Sequence, residues 1–287
     1  MHNRRADGFN TKAKKSLGQH FLTSEAAVAK MVAAAGVTKG DIVLEIGPGR
    51  GVLTRALLDA GAHVVAVELD RDVVAPLTAR FDAEVYSGAL KIIEADFLTL
   101  SDDMLDELVG STYKVVANIP YYVTNAMIER CLTARTQPQE IAFLVQKEVA
   151  ERIVARDGKG SILSVAVRAY CEPKLVSKVS AGSFNPPPKV DSAILALRAP
   201  SRALFERTPA ISEESFFRIV KAGFAHKRKM LAGNLSSIAP RETIDQALIE
   251  NGLPATIRAE DLSLENWRSL TATLTPYIIG IPLVPKP

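Results

Sequence analysis

The stretch Ile42-Val43-Leu44-Glu45-Ile46-Gly47-Pro48-Gly49-Arg50-Gly51-Val52-Leu53 narrows the fold more than any other part of the 287-residue chain. Ile42 to Ile46 is a continuous apolar run interrupted only by Glu45, the pattern of a strand buried on both faces of a parallel sheet. Gly47, Gly49 and Gly51 follow at alternate positions, and Val52 to Ala60 has the amphipathic spacing of a helix. Strand, glycine turn and helix in that order let the backbone approach a ligand closely. A tight turn that binds nothing would share the same glycines. Two familiar ligand classes fail on spacing. A dinucleotide turn needs its third glycine where this chain has Val52, and a phosphate-cradling Walker loop needs a Gly-Lys-Ser/Thr that is absent. What remains is a nucleoside ligand without a pyrophosphate, and S-adenosylmethionine answers that description.

The strand ends that follow reinforce this reading. His63 to Val67 is predicted as a second strand ending in Glu68-Leu69-Asp70, with a helix from about Arg71 to Phe81. Leu90 to Glu94 is a third strand, followed by Ala95-Asp96-Phe97. Ligands of open α/β sheets bind along the carboxyl ends of the strands, and an acid at the second of them sits where ribose hydroxyls are held. Glu68 is assigned there because an ionised carboxylate offers several acceptor lone pairs. Asp70 reads as the charge at a helix N-terminus. Asp96 would accept from an adenine amine, with Phe97 or Leu69 covering a ring face. Ahead of the glycine turn, Gln19 to Leu22 precede a helix from Ser24 to Ala35 and are expected to be free to lie across the ligand.

A fourth strand, Lys114 to Ala117, ends in Asn118-Ile119-Pro120-Tyr121-Tyr122. An aromatic amine is a weak nucleophile because its lone pair is delocalised into the ring. The Asn118 oxygen and a nearby backbone carbonyl can accept both amine hydrogens and draw that pair out of conjugation. Pro120, with a locked φ and no N–H, would hold the Ile119 and Pro120 carbonyls in place. Tyr121 supplies a stacking face for an extruded base. A sulfonium methyl is already activated, so positioning and electrostatics can carry its transfer without a metal. Glu140 to Gln146 is a fifth strand leading into a helix, and Ser161 to Tyr170 a further helix. Strands Leu175 to Val179 and Ser192 to Leu197 flank the loop Phe184-Asn185-Pro186-Pro187-Pro188-Lys189-Val190-Asp191. Phe184 is there either a second wall for the base or a core aromatic beside a structural turn; the sequence favours neither.

After Arg198 the pattern becomes helical: Ser212 to about Leu235, Arg241 to Asn251 and Ser263 to Thr273. The expected domains are 1–198, an S-adenosylmethionine-dependent methyltransferase domain with a basic arm, and 199–287, a small all-α RNA-recognition domain. Net charge is only +3, but its distribution is uneven. Lys14 and Lys15 belong to a basic N-terminal cluster, and Lys227, Arg228 and Lys229 to a second knot beginning at His226, with Met230 and Leu231 expected to pack inward. Two cysteines and four histidines in no ligating pattern point to no metal site, which also argues against the zinc deaminases. With no apolar run near the roughly 20 residues of a membrane span, and no secretory signal in the basic N-terminal stretch, the expected compartment is the cytoplasm.

Taken in order, Lys15-Ser16-Leu17-Gly18-Gln19-His20-Phe21-Leu22, Leu44-Glu45-Ile46-Gly47-Pro48-Gly49-Arg50-Gly51, Glu68-Leu69-Asp70, Glu94-Ala95-Asp96-Phe97, Asn118-Ile119-Pro120-Tyr121-Tyr122 and the loop from Phe184 to Ser192 resemble the ribosomal RNA adenine N6-dimethyltransferase family over nearly the whole chain. The resemblance implies a Rossmann-like class I methyltransferase fold with a mostly parallel seven-stranded sheet and a small helical C-terminal domain. It implies S-adenosylmethionine as donor, with cofactor contacts at His20, Leu22, Gly47, Glu68, Asp96 and Asn118; Gln19, Gly49, Leu69 and Phe97 complete the expected cofactor set. From the residues themselves, Asn118, Pro120, Tyr121 and Phe184 form the expected catalytic set around the target base. The implied reaction places two methyls on each of two adjacent adenines in a hairpin near the 3′ end of small-subunit rRNA. A monomer acting on an immature ribosomal particle is expected. Two rivals stand beside this: a large-subunit rRNA methylase of the macrolide-resistance type, and a non-catalytic RNA-binding or assembly factor on the same fold. The double tyrosine and the proline loop favour the small-subunit branch, and intact Gly47, Glu68, Asp96 and Asn118 argue against lost cofactor binding.

Overall fold

The computed structural model describes residues 14, 18–155, 160–207 and 211–278. Among the described residues there are nine strands: β1 (Phe21–Leu22), β2 (Ile42–Ile46), β3 (His63–Glu68), β4 (Leu90–Glu94), β5 (Lys114–Asn118), β6 (Glu140–Gln146), β7 (Glu172–Val179), β8 (Phe184–Asn185) and β9 (Ser192–Arg198). The helices are α1 (Glu25–Ala34), α2 (Val52–Asp59), α3 (Arg71–Arg80), α4 (Asp82–Tyr86), α5 (Asp102–Val109), α6 (Thr124–Thr133), α7 (Lys147–Val154), α8 (Ile162–Tyr170), α9 (Ala203–Glu206), α10 (Glu213–Gly223), α11 (Leu231–Asn234), α12 (Arg241–Glu250) and α13 (Leu264–Leu274). The chain divides into two compact units, residues 1–151 with 172–200, and residues 152–171 with 201–287. Residues 152–171, placed by sequence with the first domain, thus cluster with the second unit.

Seven strands form one sheet in the order β4-β3-β2-β5-β6-β9-β7. The first five are parallel, and β9 runs antiparallel to both β6 and β7. The chain starts at β2, works outward to β4, then crosses back to β5, so the order reverses between β2 and β5. Register puts Ile46 beside both Val67 and Ala117, and Glu68 beside Glu94. The residues just past β2, β3, β4 and β5 therefore come out along one edge, at the switch point where α/β sheets bind ligands. Val43, Leu44, Val64, Ala66, Val115, Val116, Ala142 and Phe143 are buried on the inner strands. Burial on both faces explains why these strands read as apolar runs without alternation. Local signals set the helix starts: Ser24, Asp70, Ser101, Ser161, Ser212 and Ser263 each cap a helix by accepting a backbone N–H.

Three expectations are corrected. The segment Gln19 to Leu22 is not free, because Phe21 and Leu22 pair as β1 with Asn185 and Phe184 of β8. The helix expected to run from Ser212 to Leu235 stops at Gly223, where a Cβ would lie 2.4 Å from Trp267 Cη2. Asn234 then folds back, its Nδ2 donating to the carbonyls of Gly223 at 2.6 Å and His226 at 3.1 Å. Residues 224–230 are consequently a loop, in which Met230 is 50% exposed while Leu231 is buried. Among the described residues no helix is long and apolar enough to cross a membrane.

Candidate active site

A cavity of ≈ 250 Å³ opens at the switch point of the first unit. Its floor is the glycine turn. Gly51 is left-handed (φ 76), and a Cβ on it would come within 2.5 Å of Phe81 Cε2 and 2.8 Å of Leu77 Cδ1. Only glycine lets α3 and the residue after it pack that closely on the turn. Gly47 and Gly49 line the cavity. Glu68 braces the turn, its two carboxylate oxygens accepting from Gly49 N–H at 3.1 Å and Asp70 N–H at 2.8 Å. Burial pushes the Glu68 carboxyl above its ordinary pKa, against the pull of those N–H groups, while its side chain still faces the cavity.

Behind the turn lies a residue that the sequence reading left unassigned. Glu45, in β2, is fully buried; Thr54 of α2 donates its hydroxyl to Oε2 at 2.7 Å, and Oε1 has no hydrogen-bond partner among the described residues. Burial, opposed by the Thr54 hydroxyl and reinforced by the charge of Glu68, pushes the Glu45 carboxyl up to about 8. At pH 7 Glu45 is therefore mostly neutral. The sequence signal was present: a lone acid inside an apolar strand has no water to reach.

Asp96 uses one oxygen to cap the short turn that follows it, Oδ1 accepting from Leu98 N–H at 2.9 Å. The other oxygen has no partner among the described residues, and Asp96, Phe97 and Leu69 all line the cavity. Leu69 is 52% exposed, whereas Phe97 is buried. Asn118, at the end of β5, donates its Nδ2 to the His20 carbonyl at 3.0 Å. That bond fixes the amide and leaves Oδ1 as an acceptor with no partner among the described residues. The Pro120 carbonyl is taken by Val123 N–H at 3.2 Å, which starts a short turn. Of the two carbonyls expected to serve an amine, the Ile119 carbonyl is thus the one with no partner among the described residues.

His20 is held by its ring, Nδ1 donating to the Pro186 carbonyl at 2.8 Å, and lies 6.0 Å from Tyr121 in a stacked arrangement. Tyr121 is tied at its far end to Ser192 Oγ at 2.8 Å. Phe184, buried in β8, reaches both the core and the cavity wall, so neither sequence alternative for it is discarded. Leu22 has a different place from the expected one. Its side chain belongs to the hydrophobic core and does not line the cavity, whereas its strand neighbour Phe21, on the opposite face, does. Gln19 lines the cavity, but its amide is engaged on both sides, by Lys14 N–H at 2.9 Å and Asp70 at 2.9 Å. Met127 of α6 and Tyr122 also line it; α6 was not foreseen, although its apolar residues at 127, 128, 131 and 132 have helical spacing.

The family model for ribosomal RNA adenine dimethylase matches residues 10–275. The chain belongs to the ribosomal RNA adenine dimethylase family. It is 44% identical over 273 residues to ribosomal RNA small subunit methyltransferase A of Thermosynechococcus vestitus, covering 92% of this chain and 97% of that one. Identity to the protein of the same name from Dehalococcoides mccartyi is 40% over 268 residues, with 92% and 89% covered. Among solved structures, a dimethyladenosine transferase from Plasmodium falciparum superposes with TM-score 0.69 at 25% identity, covering 88% of this chain and 96% of that one. The 23S rRNA methyltransferase ErmE superposes with TM-score 0.68 at 27% identity, covering 89% and 99%. The fold is accordingly the Rossmann-like methyltransferase fold of rRNA methyltransferases.

Dimethylases of this family use S-adenosylmethionine, and the cavity fits it on the geometry above. A Cβ on Gly49 would meet the Phe21 ring at 3.1 Å, so the glycine is what lets Phe21 pack against the turn. Around the turn stand the Glu68 carboxyl, an Asp96 oxygen with no partner among the described residues, and the apolar side chains of Leu69, Phe97 and Met127. The basic residues divide. Lys14 does not present a free charge: its ammonium lies 2.6 Å from Asp70 and 2.7 Å from Asp72, so it is a strut tying the N-terminal segment to the start of α3. Lys15 lies outside the described residues. Lys227, Arg228 and Lys229 are exposed on the loop after α10, in the second unit.

Proposed function

We propose that this chain dimethylates the N6 amines of two adjacent adenines in the 3′-terminal hairpin of small-subunit rRNA, with S-adenosylmethionine as donor. The observation that carries the reading is the pair of acceptors at the end of β5, Asn118 Oδ1 and the Ile119 carbonyl, on two residues that line the same cavity as Glu68, Asp96 and the glycine turn. The cofactor, when bound, supplies a methyl on a sulfonium. Glu68 would hold its ribose hydroxyls and Asp96 its adenine amine, with Leu69 and Phe97 against the ring.

Asn118 Oδ1 and the Ile119 carbonyl would accept the two hydrogens of the target amine, holding its nitrogen lone pair out of the purine ring. Tyr121, fixed by His20 on one side and Ser192 on the other, is a preset wall for an unstacked base, and Phe184 contributes a second. Because these groups are fixed before the base arrives, little reorganisation is needed at the moment of transfer. Small-subunit rRNA is favoured over large-subunit rRNA by the double tyrosine, by the proline loop and by relatives at 38–44% identity that carry the small-subunit name. We further assign the substrate to a partly assembled ribosomal particle, the enzyme to the cytoplasm as a monomer, and the helical second unit, with Lys227, Arg228 and Lys229, to RNA recognition.

Mass spectrometry of rRNA from unmethylated small-subunit particles, incubated with the protein and labelled donor, tests this directly. Two adjacent dimethyladenosines near the 3′ end are expected. Label confined to large-subunit RNA, or no label, would overturn the proposal.

A further inference from the structure

Tyr121 and Tyr122 are neighbours in one short turn, yet they face different surroundings. Tyr121 is partly buried and tied at both ends. Tyr122 lines the same cavity but is 64% exposed, and its hydroxyl has no partner among the described residues. The ring is nevertheless backed on one side by Gly18. That residue is left-handed (φ 57), and a Cβ on it would lie 3.3 Å from both Cδ1 and Cε1 of Tyr122, with Pro120 Cβ at 3.9 Å. The absence of a side chain at Gly18 is what lets the main chain support the ring there.

An aromatic ring supported from behind and open to solvent at a cavity mouth has the properties of a base-stacking surface: apolar, flat and indifferent to base identity. We propose that Tyr122 stacks the base of the nucleotide next to the adenine held in the cavity. The inference rests on the function proposed above and deepens it. Extruding one base leaves its neighbour with a bare face at the cavity mouth, and an aromatic ring placed there restores the lost stacking. Where the targets are two adjacent adenines, the neighbour is the other target, so one platform serves both turns of the reaction.

The test is methyl transfer to unmethylated small-subunit particles by the full-length protein, measured as kcat and KM, with cofactor affinity measured by calorimetry. Tyr122 is exposed, so its replacement leaves the core intact. For Tyr122→Leu we expect KM for the particle to rise about ten-fold, the scale of one lost base–aromatic stack, with cofactor affinity unchanged. Tyr122→Phe keeps the ring and should restore KM. A wild-type KM in Tyr122→Leu would overturn the inference, as would a Tyr122→Phe variant no better than Tyr122→Leu. If the wild-type protein forms no dimethyladenosine, the parent function fails and this inference with it, an outcome distinct from a functional enzyme that is insensitive at Tyr122.

Discussion

Asn118 is committed at its nitrogen and open at its oxygen, and that asymmetry defines what a substitution should do. Asn118→Ala removes the acceptor and unties the His20 carbonyl. We expect kcat to fall by roughly 10²–10³-fold, the range for loss of one preorganised polar group at a reacting centre, with cofactor affinity by calorimetry within a few-fold of wild type. Asn118→Asp should not rescue, since a carboxylate oxygen would then face the His20 carbonyl, acceptor against acceptor. Glu45 gives a prediction of another kind. Its carboxyl is pushed from an ordinary 4.5 up to about 8 by burial, so the unfolded chain releases the proton more readily than the folded one. Its contribution to stability is therefore complete below about pH 4.5 and is lost as pH rises toward 8. The slope approaches ~1.4 kcal/mol per pH unit between those limits. Glu45→Gln keeps an acceptor for the Thr54 hydroxyl and has no proton to lose. Denaturant titrations at pH 5 and pH 8 should show wild-type stability falling more than that of the variant; parallel losses would contradict the assignment.

At the scale of elements, Asp70 joins two segments. It caps α3 through Asp72 N–H, and it receives Lys14 and Gln19 from the N-terminal segment. Burial works to raise its carboxyl, but the bonds from Lys14, Gln19 and Asp72 outweigh it and hold the group below the ordinary range. Asp70→Ala should cost about 1 kcal/mol for the cap and weaken cofactor binding by loosening Gln19 and His20, effects separable by chemical denaturation and calorimetry. The sequence placed Asp70 as a charge at the start of this helix, because an acid after a strand and before a helical pattern favours that place; the capping bond is what the structure adds. The sequence did not predict the tie to Lys14, since an ion pair between residues 14 and 70 leaves no local trace. The same limit separates what was legible from what was not. Strands β2 and β6 read directly from the sequence because burial on both faces writes itself as an apolar run with turn signals at each end. The two-residue strands β1 and β8 did not, because their pairing is set by the proline loop folding back across about 160 residues. The end of α10 was missed for a related reason: nothing near Gly223 in sequence announces Trp267 packed against it. The cavity residues followed from strand-end position, whereas Leu22 was misplaced because a strand of two residues decides its orientation.

For the whole molecule, the decisive question is where the phosphate backbone is met. The net charge of +3 is too small to locate a polyanion surface, so local exposure must do so. Lys14 is removed from contention because two carboxylates already neutralise it. Lys227, Arg228 and Lys229 share no ion pair among the described residues and stand exposed on a loop whose base is fixed by Asn234. Each cation that meets a phosphate releases a condensed counterion, so the logarithm of the binding constant falls with log salt by about 0.7–0.9 per contact. Replacing all three with glutamine should therefore weaken RNA binding and reduce the salt slope by about two to three, while cofactor affinity, set in the other unit, stays constant. Lys14→Gln should leave the slope unchanged. A slope insensitive to the triple substitution would return the loop to solvent and leave the RNA-binding role of the helical unit without support.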